Sequence, residues 1–205
     1  MTTATVTLQP ALAKKIGEYE AEMRKALASS RCLLARYDSR DQLRRKYSYA
    51  IPTCEAIDAI ARHSPIIEIG AGSGYWAYLL KLVGADVLAL DNYSWCPPGA
   101  SPDCVWGKIW TRVDRGGVHE IPLHPHRTLF LCWPPYAEPL AADCLKVYTG
   151  SKFLFVGESV GGYAGGCTGD DEFHKMLYEQ WDLVERVDLP QWPGINDDLQ
   201  IYERI

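Results

Sequence analysis

The chain contains no apolar run approaching the ~20 residues that cross a bilayer as a helix. Its start, Met1-Thr-Thr-Ala-Thr-Val, lacks the charged-then-apolar pattern of a secretory leader. A soluble, cytoplasmic protein is the expectation. An excess of positive charge is also missing. Lys and Arg number 21 against 26 Asp and Glu, a net charge of −5, so composition gives no general attraction for nucleic acid or an anionic membrane. The seven cysteines lack the short paired spacings of a zinc site and the density of a disulfide scaffold. No metal is expected, and the thiols read as reduced. With 205 residues, 47% of them hydrophobic, the chain can bury one substantial core.

A further absence concerns one glycine. The apolar run Pro65-Ile66-Ile67 leads into Glu68-Ile-Gly70-Ala-Gly72-Ser-Gly74. A dinucleotide fingerprint would place its third glycine at position 75, where this chain has Tyr75, so the spacing argues against NAD. What remains is an acid and three alternating glycines at a strand's end. Glycine admits backbone angles closed to other residues and lets a ligand approach the main chain, which makes this a cofactor-binding turn. After a helix-like stretch from Tyr75 to Leu82, the run Val87-Leu88-Ala89-Leu90 ends in Asp91. An acidic residue about 20 positions beyond the first glycine can accept hydrogen bonds from both ribose hydroxyls of an adenosyl group. Capping a turn is the other role open to it. As a loop carboxylate with few packing contacts, it should matter more to binding than to stability.

The Glu-x-Gly-x-Gly-x-Gly spacing with Asp91 in register resembles the first motif of class I S-adenosylmethionine (SAM) dependent methyltransferases. The resemblance implies SAM as cofactor and S-adenosylhomocysteine as product. It puts cofactor contacts at Glu68, Gly70, Ala71, Gly72, Gly74 and Asn92, with Asp91 at the ribose, Asp114 at the adenine amino group and Cys132 at the end of strand four. In such enzymes an aromatic segment upstream of the motif closes over the methionine end. Tyr47, Tyr49 and Pro52 are therefore lid candidates, with ordinary core packing equally open to them. The resemblance runs from Tyr47 onward, so residues 1–46 are expected to form an N-terminal helical extension and 47–205 the catalytic domain.

Strand four, Thr128 to Cys132, runs into Trp133-Pro134-Pro135-Tyr136. This tetrapeptide resembles the fourth motif of amino methyltransferases, Asp/Asn/Ser-Pro-Pro-Tyr/Phe, found in enzymes of adenine N6, cytosine N4 and glutamine amides. The prolines stiffen the turn and expose the preceding carbonyls to a substrate amine, and Tyr136 can stack on a planar substrate. Position 133 departs from the pattern, because an indole donates and cannot accept. Its face could instead favour a cation, the sulfonium or an ammonium substrate, or it could simply close the pocket. Trp133, Pro134, Tyr136 and Glu158 are the candidate catalytic residues, Glu158 as general base or ammonium partner at the end of strand five. Capping or surface roles are open to Glu158, His124 and His126. Tyr163, Trp181 and Trp192 are candidate walls.

Elsewhere, apolar residues from Leu12 to Leu27 at helical spacing predict one amphipathic helix with Pro10 in its first turn, packed on the domain or on a second copy. The Arg40 to Lys46 cluster could grip phosphate or form a solvated helix face. Thr53 is the expected N-cap of a helix to Arg62. Trp106 to Val113 should form a third strand, Glu138 to Val147 a helix, Lys152 to Glu158 a fifth strand, Gly161 to Gly169 a glycine-rich loop and Asp170 to Gln180 a helix. Asp182 to Leu189 and Leu199 to Arg204 should close the sheet as an antiparallel pair. The expected fold is α/β, Rossmann-like and doubly wound, with a mostly parallel seven-stranded sheet. The expected function is methyl transfer to an N or O nucleophile of a small or medium acceptor. Nucleic-acid (adenine N6-type) methylation and non-catalytic SAM binding are the alternatives.

Overall fold

The computed structural model describes residues 10–29, 32–102, 105, 107–158 and 168–205. The glycine-rich stretch before Thr168, Tyr163 within it, and Trp106 lie outside the described residues. Three helices come first, α1 (Pro10–Ile16), α2 (Glu18–Ser29) and α3 (Leu33–Lys46), then α4 (Cys54–Ala61). The sheet strands are β1 (Ile66–Ile69), β2 (Val87–Asp91), β3 (Asp114–Arg115), β4 (Thr128–Cys132), β5 (Lys152–Glu158), β6 (Trp181–Asp188) and β7 (Asp197–Arg204). Between them run α5 (Tyr75–Leu82), a 3-10 helix (Val118–Leu123), α6 (Leu140–Val147) and α7 (Asp171–Gln180). The strands form one seven-stranded sheet in the order β3-β2-β1-β4-β5-β7-β6. β1 to β5 pair in parallel, and β7 joins β5 and β6 antiparallel.

Alternation along the strands divides the core between the two faces. Phe130 of β4 packs with Ile66, Leu154 and Val156 against α2, α4 and α5. Its neighbours Leu129 and Leu131 pack with Ile67, Ile69, Phe153 and Phe155 against α6 and α7. Successive side chains of a strand point to opposite faces, so the continuous apolar runs of β1, β4 and β5 feed two cores at once. The N-terminal helices belong to the first of these. Ile16, Tyr19 and Met23 are buried in it, and the Tyr19 hydroxyl donates to the Ser48 carbonyl at 3.0 Å.

Several boundaries differ from the sequence expectation, each for a local reason. The single first helix is interrupted at Gly17, a poor helix former. Thr53 caps α4 as expected, its side chain accepting from Ala56 N at 3.1 Å. The third strand is not at 106–113 but at Asp114–Arg115. Trp110 is instead drawn out of the sheet, its backbone N–H bonded to the Ser73 carbonyl, its indole N–H to the Lys46 carbonyl at 2.7 Å, and its ring stacked on Tyr47 at 5.3 Å. α6 starts at Leu140 rather than Glu138, with Pro139 at its N-cap position. β7 begins two residues before Leu199, at Asp197; an Asp pair is a poor strand signal, and this shift proves important at the site. Among the described residues no helix is long and apolar enough to cross a membrane.

Candidate functional site

A cleft of about 810 Å³ opens where β1, β2, β4 and β5 end, the edge at which doubly wound sheets hold ligands. One end of it is main chain. As β1 leaves the sheet, Gly70 N and Ala71 N both donate to the Leu90 carbonyl, tying the turn to β2. Gly70, Gly72 and Gly74 take φ of 75°, 56° and 71°, left-handed values that glycine adopts without the usual strain. Gly70 and Gly72 line the cleft. Gly74 serves packing instead, since a Cβ there would meet Val113 Cγ2 at 2.7 Å.

Asp91 stands at the tip of β2 and is buried. Its Oδ2 accepts from Gly72 N at 2.8 Å, and its Oδ1 accepts from Tyr93 N at 2.7 Å and from the Trp95 indole at 3.1 Å. The expectation of a loosely held loop carboxylate is corrected here. Asp91 braces the glycine turn, and of a carboxylate's roughly four acceptor sites three are filled by the protein. Asn92, beside it, lines the cleft and is exposed. Glu68 lies beneath the turn, fully enclosed. Burial is the main force that pushes its carboxyl up to about 8, with Lys81 opposing and the Asp91 charge adding. Its Oε2 is buried and has no hydrogen-bond partner among the described residues.

The other end is made of side chains. Trp133 follows β4 with φ 53°, left-handed and strained for a tryptophan. Its backbone N–H continues the ladder to the Val156 carbonyl at 2.8 Å. Tyr49 stacks on its indole at a centroid distance of 4.9 Å, and the Arg40 guanidinium of α3 lies 5.6 Å from the ring. The indole N–H, without an evident acceptor in the sequence, donates to Asp197 Oδ1 at 2.7 Å. Asp197 is 2% exposed. Burial pushes its carboxyl up to about 7, with the indole bond opposing and the Glu158 charge adding. Glu158, the last residue of β5, is its register partner across the sheet, and Glu158 Oε1 accepts from Asn196 N at 2.9 Å. Pro134 is buried, and its carbonyl already accepts from Gly169 N at 3.0 Å. Tyr136 is half exposed at the rim.

The structure thus brings Tyr49, Glu68, Gly70, Ala71, Gly72, Asp91, Asn92, Cys132, Trp133, Pro134, Tyr136 and Glu158 to one cleft. It leaves other candidates away from the wall. Tyr47 is a core residue, stacked on Tyr19 at 4.7 Å and donating to Glu22 Oε1 at 2.7 Å. Pro52 is buried and does not line the cleft. Asp114 accepts from Arg112 Nε at 2.7 Å and does not line the cleft, which Gly116 and Gly117 do. Trp181 and Trp192 are not walls: each sits in the core, Trp181 stacked with Tyr148 and Trp192 near the Tyr19 hydroxyl. His124 and His126 pair edge to face away from the cleft. Cys132 is no ready nucleophile, because desolvation, aided by the Glu68 and Asp197 charges, raises its thiol pKa well above the ordinary value. Among the described residues no His, Cys, Asp and Glu group could hold a metal ion.

No protein-family model matches the chain, and a search of curated proteins finds no match. Solved structures with a similar fold are distant. TrmN from Thermus thermophilus is 13% identical with a TM-score of 0.44 over 74% of this chain and 48% of its own, so the chain spans under half its length. The N-methyltransferase NodS from Bradyrhizobium japonicum WM9, solved with S-adenosylhomocysteine, is 12% identical with a TM-score of 0.45, covering 93% of this chain and 98% of its own. A point mutant of MtNAS, solved with S-adenosylmethionine, is 15% identical with a TM-score of 0.48, over 94% of this chain and 76% of its own. Resemblance at this distance leaves the functional reading to the chain's own residues.

Proposed function

We infer that the chain is a SAM-dependent methyltransferase acting on an N or O nucleophile of a small or medium acceptor. The observation that carries the reading is the turn from Glu68 to Gly74, braced by Asp91 and sharing one cleft with the Trp133-Pro134-Pro135-Tyr136 turn. Two features fit SAM in particular. The left-handed glycines at 70 and 72 leave the main chain bare, and Glu68 Oε2 is a buried acceptor without a donor among the described residues, which the cofactor's ammonium would satisfy. Asp91 has one acceptor site left for a ribose hydroxyl, with Asn92 beside it, so the contact is one bond rather than two.

When bound, SAM supplies an electrophilic methyl on sulfur. The chain's part is to aim the acceptor and exclude water. Trp133 and Tyr49 wall the approach, the prolines hold the turn rigid, and Glu158 can take the proton that an amine or hydroxyl releases on methylation. Cytoplasmic action on a small molecule is the reading we adopt. The alternative of nucleic-acid methylation finds little support in the Arg40 to Lys46 cluster: Arg44 and Arg45 pair with Asp41, and Lys46 pairs with Glu22 at 2.7 Å. Binding to the folded state alone stabilises it by about 2.7 kcal/mol at a hundredfold excess over the dissociation constant. S-adenosylhomocysteine should therefore raise the melting temperature, while NAD and NADP should not. Equal response to all three, or to none, sinks the cofactor assignment, and full SAM binding with no turnover on any acceptor leaves the non-catalytic alternative.

A further inference from the structure

Two arginines one turn apart on α3 line the cleft, and they are in opposite condition. Arg44 is fully engaged: it pairs with Asp41, donates to the Tyr49 hydroxyl at 2.8 Å and stacks over that ring at 4.7 Å. Arg40 is not. Its Nε and Nη2 are closed off from solvent and have no hydrogen-bond partner among the described residues. These two nitrogens form one edge of the guanidinium, the fork that matches the two oxygens of a carboxylate. A guanidinium withdrawn from water without an anion is a costly arrangement. The nearby Asp197 carboxyl feels the Arg40 charge but gives that edge no hydrogen bond, its Oδ1 being held by the Trp133 indole. What the ring of Trp133 offers Arg40 is a cation–π contact, which leaves the donors of that edge unsatisfied.

We propose that the methyl acceptor carries a carboxylate, received by the Nε and Nη2 edge of Arg40 at the Trp133 end of the cleft. The proposal rests on the methyltransferase reading for the word acceptor, but the anion site itself does not. The group lies beside Trp133, on which Tyr49 stacks, so an acid with a flat ring would meet aromatic walls and the guanidinium together. Glu158, paired in register with Asp197, lines the same cleft and suits an amine or hydroxyl elsewhere on the same small molecule.

The test uses benzoate as probe and benzamide as its uncharged match, titrated into the full chain by calorimetry and thermal shift, with and without saturating S-adenosylhomocysteine. Benzoate should bind and stabilise the wild type while benzamide does not. Arg40→Lys, which keeps the charge and loses the fork, should weaken benzoate by about tenfold or more, and Arg40→Met should abolish its binding. Both variants should retain S-adenosylhomocysteine affinity within about twofold. If Arg40→Met does not fold, Arg40→Lys and the contrast between the two probes on wild type decide the matter. Equal binding of benzoate and benzamide, or benzoate binding indifferent to residue 40, overturns the proposal. So does loss of S-adenosylhomocysteine binding in a folded Arg40 variant, which would hand the fork to the cofactor's own carboxylate. Should S-adenosylhomocysteine fail to bind wild type while benzoate still follows Arg40, the anion site stands and the cofactor reading falls.

Discussion

At one end of the cleft, backbone N–H groups, two glycines and a carboxylate meet within the short span from Glu68 to Tyr93. At the other, Arg40 from α3, Tyr49 from the segment after it, Trp133 after β4, Glu158 from β5 and Asp197 from β7 converge from across the chain. The first end is held by hydrogen bonds within a short span of sequence; the second is held by stacking and by hydrogen bonds between residues far apart in sequence, among them that of the Trp133 indole to Asp197. On the reading proposed above, the difference means that the cofactor and acceptor ends should answer to different perturbations. Changes at the first end should disturb folding and cofactor binding together, and changes at the second should lower turnover and stability while sparing cofactor binding.

The largest expected effect breaks the first end. Asp91→Ala strands the donors of Gly72, Tyr93 and Trp95, and each hydrogen bond to a charged group is worth about 1.5–3 kcal/mol. We expect a stability loss of about 3 kcal/mol or more by urea unfolding, and unchanged stability would mean the turn is braced by something else. Next comes Trp133→Phe, which keeps a ring against Tyr49 but leaves Asp197 buried without its donor. A loss of about 1–3 kcal/mol is expected, with turnover reduced and S-adenosylhomocysteine affinity retained. If turnover is untouched, the Trp133 turn is not the acceptor wall.

A pH series sharpens the comparison, because each end holds one carboxyl with a raised pKa, Glu68 at about 8 and Asp197 at about 7. In both cases the folded chain keeps a proton that the unfolded chain has already released. Stability should therefore fall as pH rises from the ordinary carboxylate range to about 8, and level off beyond. Glu68→Gln and Asp197→Asn should each flatten part of that fall, seen in urea midpoints across the range. Only Glu68→Gln should also weaken S-adenosylhomocysteine. The smallest effect is expected from Arg44→Met, roughly 1 kcal/mol or less, because its ion pair with Asp41 is partly exposed.

How far the two ends could be read in advance follows from their construction. Glu68 to Gly74 and Asp91 announce themselves through spacing, since the angles that a ligand-hugging turn requires leave glycine as the ready choice. β4 and β5 were legible to the residue for a similar reason: apolar runs buried on both faces have few alternatives. The role of Asp91 in bracing the turn was not legible, because which donors a carboxylate meets is decided by the fold. Asp197 was missed for two reasons. An Asp-Asp pair argues against a strand, and its partner Trp133 lies 64 residues away in sequence. Tyr47 and Tyr49 show the limit of pattern alone. Two residues apart in one aromatic segment, they part company, Tyr47 into the core and Tyr49 to the cleft.

The most direct test of two ends with separate duties is a calorimetric titration of S-adenosylhomocysteine into wild type, Asp91→Asn and Trp133→Ala, each checked for cooperative unfolding. The account predicts tight binding to wild type and a loss of about 1.5–3 kcal/mol, roughly ten- to 150-fold, for Asp91→Asn. Affinity in Trp133→Ala should stay within about twofold of wild type. Equal losses in both variants, or an undiminished Asp91→Asn, would contradict it.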